Sequence, residues 1–206
     1  DIGLGKITSV TLQNEQVYIG QQHVGVSVLN YTIQDEFQIL GHINPNFTVD
    51  AVFTQHQKLI VYGKMAGIAI YNISNPANPH LEVIYQPSHF STVNFYVYQS
   101  VGLLVHQNQT IEILKITQNN SIEIVQSLTE IHPISDIWMG KIGIFLMETT
   151  GELSYWDYLQ NGTIQLISVV RLFYNVPIFP TYLTVANHYL YLTSQNRIIT
   201  MNLKNL

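Results

Sequence analysis

The constraint that most limits this chain is a repeat. Five times a short apolar strand closes on a polar residue: Val26-Ser27-Val28-Leu29-Asn30, Ile68-Ala69-Ile70-Tyr71-Asn72, Ile111-Glu112-Ile113-Leu114-Lys115, Leu153-Ser154-Tyr155-Trp156-Asp157 and Ile198-Ile199-Thr200-Met201-Asn202. The closing residues are 42, 43, 42 and 45 apart, the length of one four-stranded propeller blade. A second landmark, the strand ending at Gly20, Gly63, His106, Met147 or Thr193, recurs at 43, 43, 41 and 46. A two-sheet sandwich shares the local strand signals but has no cause to return to one pattern at that interval.

Each unit reads forward in the same way. A first strand (Ile7 to Leu12, Ala51 to Thr54, Phe95 to Tyr98, Ser135 to Met139, Tyr182 to Ala186) ends in a polar turn, such as Gln13-Asn14-Glu15, Gln55-His56-Gln57 or Asn187-His188. Two strands follow, joined by loops in which Gly25, Gly67 and Gly151 supply backbone freedom. Outer strands are predicted at Phe37 to His42, Leu81 to Tyr85, Ile122 to Ser127 and Ile164 to Val170, and the fifth unit lacks one. Gly3 to Lys6 is the segment that could complete it. No stretch carries a capped 3.6-residue apolar period, so almost no helix is expected. The expected fold class is all-β, a propeller of about five four-stranded blades, alone or as part of a larger one. The 206 residues then form a single domain with units near 8–49, 50–92, 93–133, 134–180 and 181–206, the last completed by 1–7.

Composition narrows the function classes. Charged residues are only 10% and the net charge is −5 without acidic runs, so neither nucleic acid nor direct membrane insertion is expected of this chain. No apolar run approaches the roughly 20 residues of a membrane helix. Without cysteine there is no disulfide, thiolate metal site or thiol nucleophile. Because the chain starts at Asp1 rather than Met, it is expected to be processed or cut from something longer.

Gly67-Ile68-Ala69-Ile70-Tyr71-Asn72-Ile73-Ser74-Asn75-Pro76-Ala77-Asn78-Pro79 resembles the LVIVD repeat, a propeller-forming motif of extracellular and cell-surface proteins. Other units keep parts of it: Gly25 with Asn30-Tyr31-Thr32, Ile116-Thr117 after Lys115, and Asn202-Leu203-Lys204. The resemblance implies a propeller displayed outside the cell. It implies no catalytic residues, because that motif is structural.

Six Asn-X-Ser/Thr sequons stand at Asn30, Asn46, Asn72, Asn108, Asn119 and Asn161. With 17 Asn and 28 Ser plus Thr, roughly two would arise by chance. Asn46, Asn108, Asn119 and Asn161 read as loop acceptors for N-glycans, whereas Asn30 and Asn72 share one repeat position and read first as strand-end caps. Thr8, Asp50, Asn94 and Ser135 precede or open successive first strands and are read as a ring at one mouth of the central channel, where a ligand would bind if any does. Eight histidines read as turn or surface residues, with no metal set among them. Asp136-Ile137-Trp138 and Trp156-Asp157 place acids beside aromatics as sugar enzymes do, but read better as blade packing and hairpin ends. No catalytic residue, metal or cofactor is assigned. The leading expectation is a secreted or cell-surface glycosylated module, non-catalytic, that binds protein partners or itself. The alternatives are a sugar-processing enzyme with its site at the channel mouth and a non-catalytic subunit of an intracellular assembly.

Overall fold

The computed structural model describes residues 5–31, 36–87, 92–117, 119, 121–129, 131–172, 180–194 and 197–203. Its elements are strands arranged as five antiparallel meanders. The first holds β1 (Ile7–Gln13), β2 (Gln16–Gln21), β3 (Gly25–Tyr31) and β4 (Phe37–Ile43). The second holds β5 (Ala51–Gln55), β6 (Lys58–Gly63), β7 (Gly67–Asn72) and β8 (His80–Tyr85). β9 (Thr92–Tyr98), β10 (Val101–His106), β11 (Ile111–Ile116) and β12 (Ile122–Leu128) make the third. The fourth is β13 (Ile134–Gly140), β14 (Gly143–Glu148), β15 (Glu152–Tyr158) and β16 (Ile164–Arg171). The fifth, among the described residues, has three strands: β17 (Pro180–Ala186), β18 (Tyr189–Ser194) and β19 (Arg197–Asn202).

The expected strand positions are met to within a few residues. The segment expected to complete the fifth sheet lies partly outside the described residues, which begin at Gly5. The Lys6 carbonyl instead accepts a bond from Gln22 N at 2.8 Å, beside the first sheet. No described helix is long and apolar enough to cross a membrane.

The first hairpins turn in two residues, flanked by the pairs Gln13↔Gln16, Gln55↔Lys58, Gly140↔Gly143 and Ala186↔Tyr189. Such tight reversals call for left-handed backbone, and it is found at Asn14 (φ 54°), His56 (φ 51°), Gln99 (φ 51°), Asn187 (φ 50°) and His188 (φ 66°). Asn tolerates that region through local side-chain bonding; His and Gln hold it at a cost of about 1 kcal/mol each, met by the strands they join.

Two compact units divide the chain, one comprising Asp1–Phe95 with Ile116–Ile122, the other Tyr96–Lys115 with Glu123–Leu206. In the first, a core forms between the first two sheets from Tyr18, Val26, Val28, Leu59, Val61, Ala69 and Tyr71, with Leu40 and Phe47 packed against it. In the second, Leu103, Ile113, Ile144 and Leu146 belong to one cluster, and Phe145, Met147, Leu183, Leu190 and Leu192 to the next. Side chains alternate across each sheet, so β14 sends Ile144 and Leu146 to one cluster and Phe145 and Met147 to the other. First strands of consecutive sheets run beside each other, β1 by β5 and β13 by β17, which is the geometry of strands nearest a common axis.

Gly67 (φ 97°) starts β7 where the end of β8 crosses close: a Cβ there would run into the Tyr85 carbonyl oxygen. Gly25 (φ 123°) meets the Ile43 carbonyl oxygen in the same way in the first sheet. Gly67→Ala therefore combines a forbidden conformation with a main-chain clash and is expected to cost about 2–3 kcal/mol. Urea denaturation checks this; a loss below about 0.5 kcal/mol would mean that the loop has no need of glycine.

Candidate functional site

A groove of about 810 Å³ opens in the first unit where the tips of two first-strand hairpins lie side by side. The β1–β2 tip supplies Leu12, Gln13 and Asn14; the β5–β6 tip supplies Thr54, His56, Gln57 and Lys58. The hairpins are held in that position by Thr11 Oγ1 and Thr54 Oγ1, 2.9 Å apart, and by the Ser9 hydroxyl, which accepts a bond from Val52 N at 2.7 Å. Asn72 at the end of β7 and Glu82 on β8 complete the lining.

Glu82 reaches this groove because of a β-bulge. β7 and β8 pair Ile70↔Val83 and then Tyr71↔Leu81, so Glu82 is left without a cross-strand partner. The first sheet has the same bulge at Leu40, between Val28↔Gly41 and Leu29↔Ile39, and the fourth has it at Ile167, between Tyr155↔Ser168 and Trp156↔Leu166. At one backbone irregularity the three sheets thus carry Leu, Glu and Ile. Leu40 packs on the core, whereas Glu82 Oε1 accepts a bond from Asn72 Nδ2 at 3.0 Å. Its other oxygen is shielded from solvent and meets no donor among the described residues. Lys58 is the cross-strand neighbour of Asn72, and its ammonium donates to the Thr117 carbonyl at 3.4 Å. The matching pair in the first sheet is neutral, Gln16 and Asn30, joined by a bond of 3.4 Å. Charge has therefore been placed in the second sheet at two positions where the repeat elsewhere runs without it.

Sequence reasoning named Asn72 as a cap but found neither Glu82 nor the groove. The cap exists, since Asn72 Oδ1 accepts from Ser74 N at 2.9 Å. The signal that could have revealed Glu82 is the broken alternation of Leu81-Glu82-Val83-Ile84, in which two apolar residues follow one another.

The four residues expected to ring a channel mouth are not one register set. Counted back from the hairpin turn, Thr8, Asp50 and Ser135 are equivalent, each five residues before the last strand residue (Gln13, Gln55, Gly140). Asn94 is four residues before Tyr98, and belongs with Ser9, Ala51 and Asp136; Val93 holds the place assigned to it. A slip of one residue turns a side chain to the opposite face. Thr8 Oγ1 is buried and meets no hydrogen-bond partner among the described residues, Asp50 Oδ2 accepts from Lys64 N at 2.7 Å, and Ser135 Oγ donates to the Met147 carbonyl at 3.0 Å. Thr8, Asp50 and Asn94 lie in the first unit and Ser135 in the second.

Two members of Asn94's register set, Ser9 and Asp136, have a definite task instead. Ser9 takes the N–H of Val52, and Asp136 takes the N–H of Leu183 at 2.7 Å as well as that of Ile137 at 2.9 Å, so a polar side chain ties one first strand to the main chain of the next. Trp138 packs on Phe145 with ring centres 6.0 Å apart, and Trp156 donates to Ser154 Oγ at 2.8 Å, so both Trp residues serve blade packing.

Among histidines, His23, His42, His56, His80, His132 and His188 are exposed, and His89 lies outside the described residues. His106 departs from the surface expectation. It is buried on β10 with its Nε2 3.1 Å from Glu112 Oε2 on β11, because position 106 lies on the same sheet face as Leu104 and its cross-strand neighbour Glu112. No cluster of three His, Asp or Glu side chains able to hold a metal occurs among the described residues.

Sequons divide by their surroundings. Asn46, Asn108, Asn119 and Asn161 are exposed, and Asn30 and Asn72 half-buried in sheet pairs. Asn108 Oδ1 accepts from Thr110 N at 3.2 Å, and Asn161 Oδ1 from Thr163 N at 3.1 Å and its hydroxyl at 2.7 Å. These are Asx turns, in which Asn and a residue two positions on are selected together by turn geometry.

No family model matches the sequence, and no curated protein matches it either. Solved structures share its architecture. A protein from Lactobacillus plantarum superposes with a TM-score of 0.72 at 13% identity, over 94% of this chain and 66% of that one. Sqt1 from Saccharomyces cerevisiae gives 0.75 at 12% identity over 98% and 60%, and BamB from Moraxella catarrhalis 0.66 at 14% over 95% and 57%. The fold is an all-β propeller of about five blades. The chain spans less than two thirds of the length of each of these structures.

Burial raises the Asp136 carboxyl above its ordinary value of 3.8, and its two N–H bonds pull the other way. A raised acid keeps its proton longer in the folded state, so its contribution to stability is full below the unfolded pKa and is lost as pH climbs through the folded one. Asp136→Asn should flatten the pH dependence of stability in the window just above 3.8. Asp136→Ala, which strips the Leu183 N–H of its acceptor, should cost about 1–3 kcal/mol at neutral pH. Thermal denaturation as a function of pH reads both effects.

Proposed function

We propose that the chain is a non-catalytic interaction module, secreted or displayed on a cell surface and N-glycosylated. The observation that carries the interaction reading is the character of the outermost strands. β4 exposes Phe37 (58%) and Ile39 (51%), β8 exposes Ile84 (50%), and β16 exposes Ile167 (50%) and Val169 (52%). An outer strand that meets only water is ordinarily blunted with charge, because unpaired main chain beside apolar side chains invites association. Three sheets carry the same unblunted rim, which suits contact with protein partners or further copies of the chain.

The extracellular part rests on the LVIVD-like second unit and on the sequons. Asn108 and Asn161 are the best acceptors: they are exposed and use Oδ1 in their turns, leaving Nδ2 for a sugar. Asn72 is the poorest, since its Nδ2 already serves Glu82. Glycans at the exposed sites would supply the hydration that a chain with 10% charged residues lacks.

Two measurements test this reading. A photo-reactive residue placed at position 39, 84 or 169 in cells of the source organism should give discrete cross-linked protein species, and one placed at the exposed turn residue Lys141 should not. Absence of cross-links at all three rim positions would overturn the interaction reading. Glycopeptide mass spectrometry of native material should find sugar on Asn161 and Asn108, and six unmodified sequons would overturn the glycosylated, extracellular part.

A further inference from the structure

We propose that the groove between the first two sheets binds an extended peptide through a basic side chain, whose guanidinium or ammonium group pairs with Glu82. The starting point is an electrostatic debt. A carboxylate oxygen removed from water without a donor loses its hydration and gains nothing in return, and native folds rarely leave one so without a reason. Glu82 Oε2 is such an oxygen. The fold does not demand an acid there, because the equivalent bulge residues are Leu40 and Ile167. An arriving cation restores what the shielded oxygen has lost, through the shorter and stronger bond that charge on both partners gives.

The rest of the lining selects a peptide. Gln13, Asn14 and Gln57 present side-chain amides, each both donor and acceptor, and these match the alternating N–H and C=O groups of an extended main chain. No Phe, Tyr or Trp is among the lining residues, so a sugar ring has none of the broad faces on which it usually stacks, only the small imidazole of His56. Lys58 is held toward the Thr117 carbonyl rather than toward Glu82, so the acid is left for a visitor. The chain's net charge of −5 draws basic segments toward it. This inference deepens the interaction reading and rests on it, but it concerns the groove at the hairpin tips, which Glu82 reaches from β8, and not the exposed rim positions 39, 84 and 169.

The test is an NMR titration of the ¹⁵N-labelled full chain with acetyl-Gly-Ser-Arg-Ser-Gly-amide. Amide shifts are expected at residues 12–14, 54–58, 72–74 and 82. Replacing the arginine by citrulline, which keeps the shape and removes the charge, should weaken binding by about tenfold or more, and Glu82→Gln should do the same. Glu82→Leu, which copies the first sheet, should abolish it in a variant whose fold is at least as stable. Lys58→Met should tighten binding by removing a repelling charge. Equal affinity for the arginine and citrulline peptides, binding unchanged in Glu82→Gln, weakening in Lys58→Met, or groove shifts with cellotetraose but not with the arginine peptide would each overturn the proposal. Because the cross-linking measurement reads positions 39, 84 and 169, failure of the groove leaves the interaction reading standing, and its failure there is seen separately.

Discussion

The second strand of each four-stranded sheet, and the third strand of the first three, are buried on both faces over most of their length, and the rest of the structure depends on that. β6 is buried from Leu59 to Gly63, β7 from Gly67 to Tyr71, and every residue of β10 is buried. A lone sheet cannot satisfy such strands, since one face would stay in water. Each therefore requires a neighbour on either side, and burying a single Leu or Ile there contributes about 1.5–3 kcal/mol. Stacking of like units is the economical answer for a chain that repeats one pattern, because every interface then solves the same packing problem. Most polar chemistry is displaced to the first strand, the outer strand and the turns, the buried His106–Glu112 pair on β10 and β11 being an exception.

Apolar stacking is non-directional, so something else must set the register between neighbouring sheets. In this chain that role falls to isolated polar contacts on the first strands. Ser9 holds Val52, Asp136 holds Leu183, and the Tyr62 hydroxyl donates to Thr92 Oγ1 at 3.0 Å while Thr92 in turn donates to the Lys64 carbonyl at 2.6 Å. Burial pushes the Tyr62 hydroxyl up to about 12, which keeps it protonated and a donor across the physiological range. Each bond contributes only about 1 kcal/mol net, yet each leaves a shielded N–H or C=O unpaired if the sheets slide by a residue. Specificity follows from the cost of the wrong register more than from the gain of the right one.

These facts explain what could be read in the sequence. Strand positions were legible because period-two patterning and turn residues are local signals, and Asn14, His56 and Asn187 sit in the turns their side chains suggest. Register was harder. Aligning units by residue type put Asn94 beside Thr8 and Asp50, although counting from the turn puts Val93 there. Burial of His106 was hidden for the same reason, because its sheet face depends on its pairing relative to Glu112 and not on its composition. The groove was least legible. Gln13, Asn14, His56 and Gln57 each have a sufficient explanation as turn formers, and only the approach of two hairpins gives them a common purpose.

Repetition also gives a way to separate what the fold needs from what it merely allows. A bulge recurs in the outer strands of the first, second and fourth sheets, so its backbone role is common to them: it bends the strand and re-aims one side chain. The side chain is then free to differ. Leu40 spends the position on core packing and Ile167 leaves it half exposed, both apolar and neither in need of a partner. Glu82 spends it on a carboxylate that one amide satisfies by half. If packing alone governed the site, the apolar solution available in the sister sheets would be preferred, since it carries no desolvation cost. Retaining an acid at a bulge that opens onto a groove makes sense when the missing donor arrives from outside.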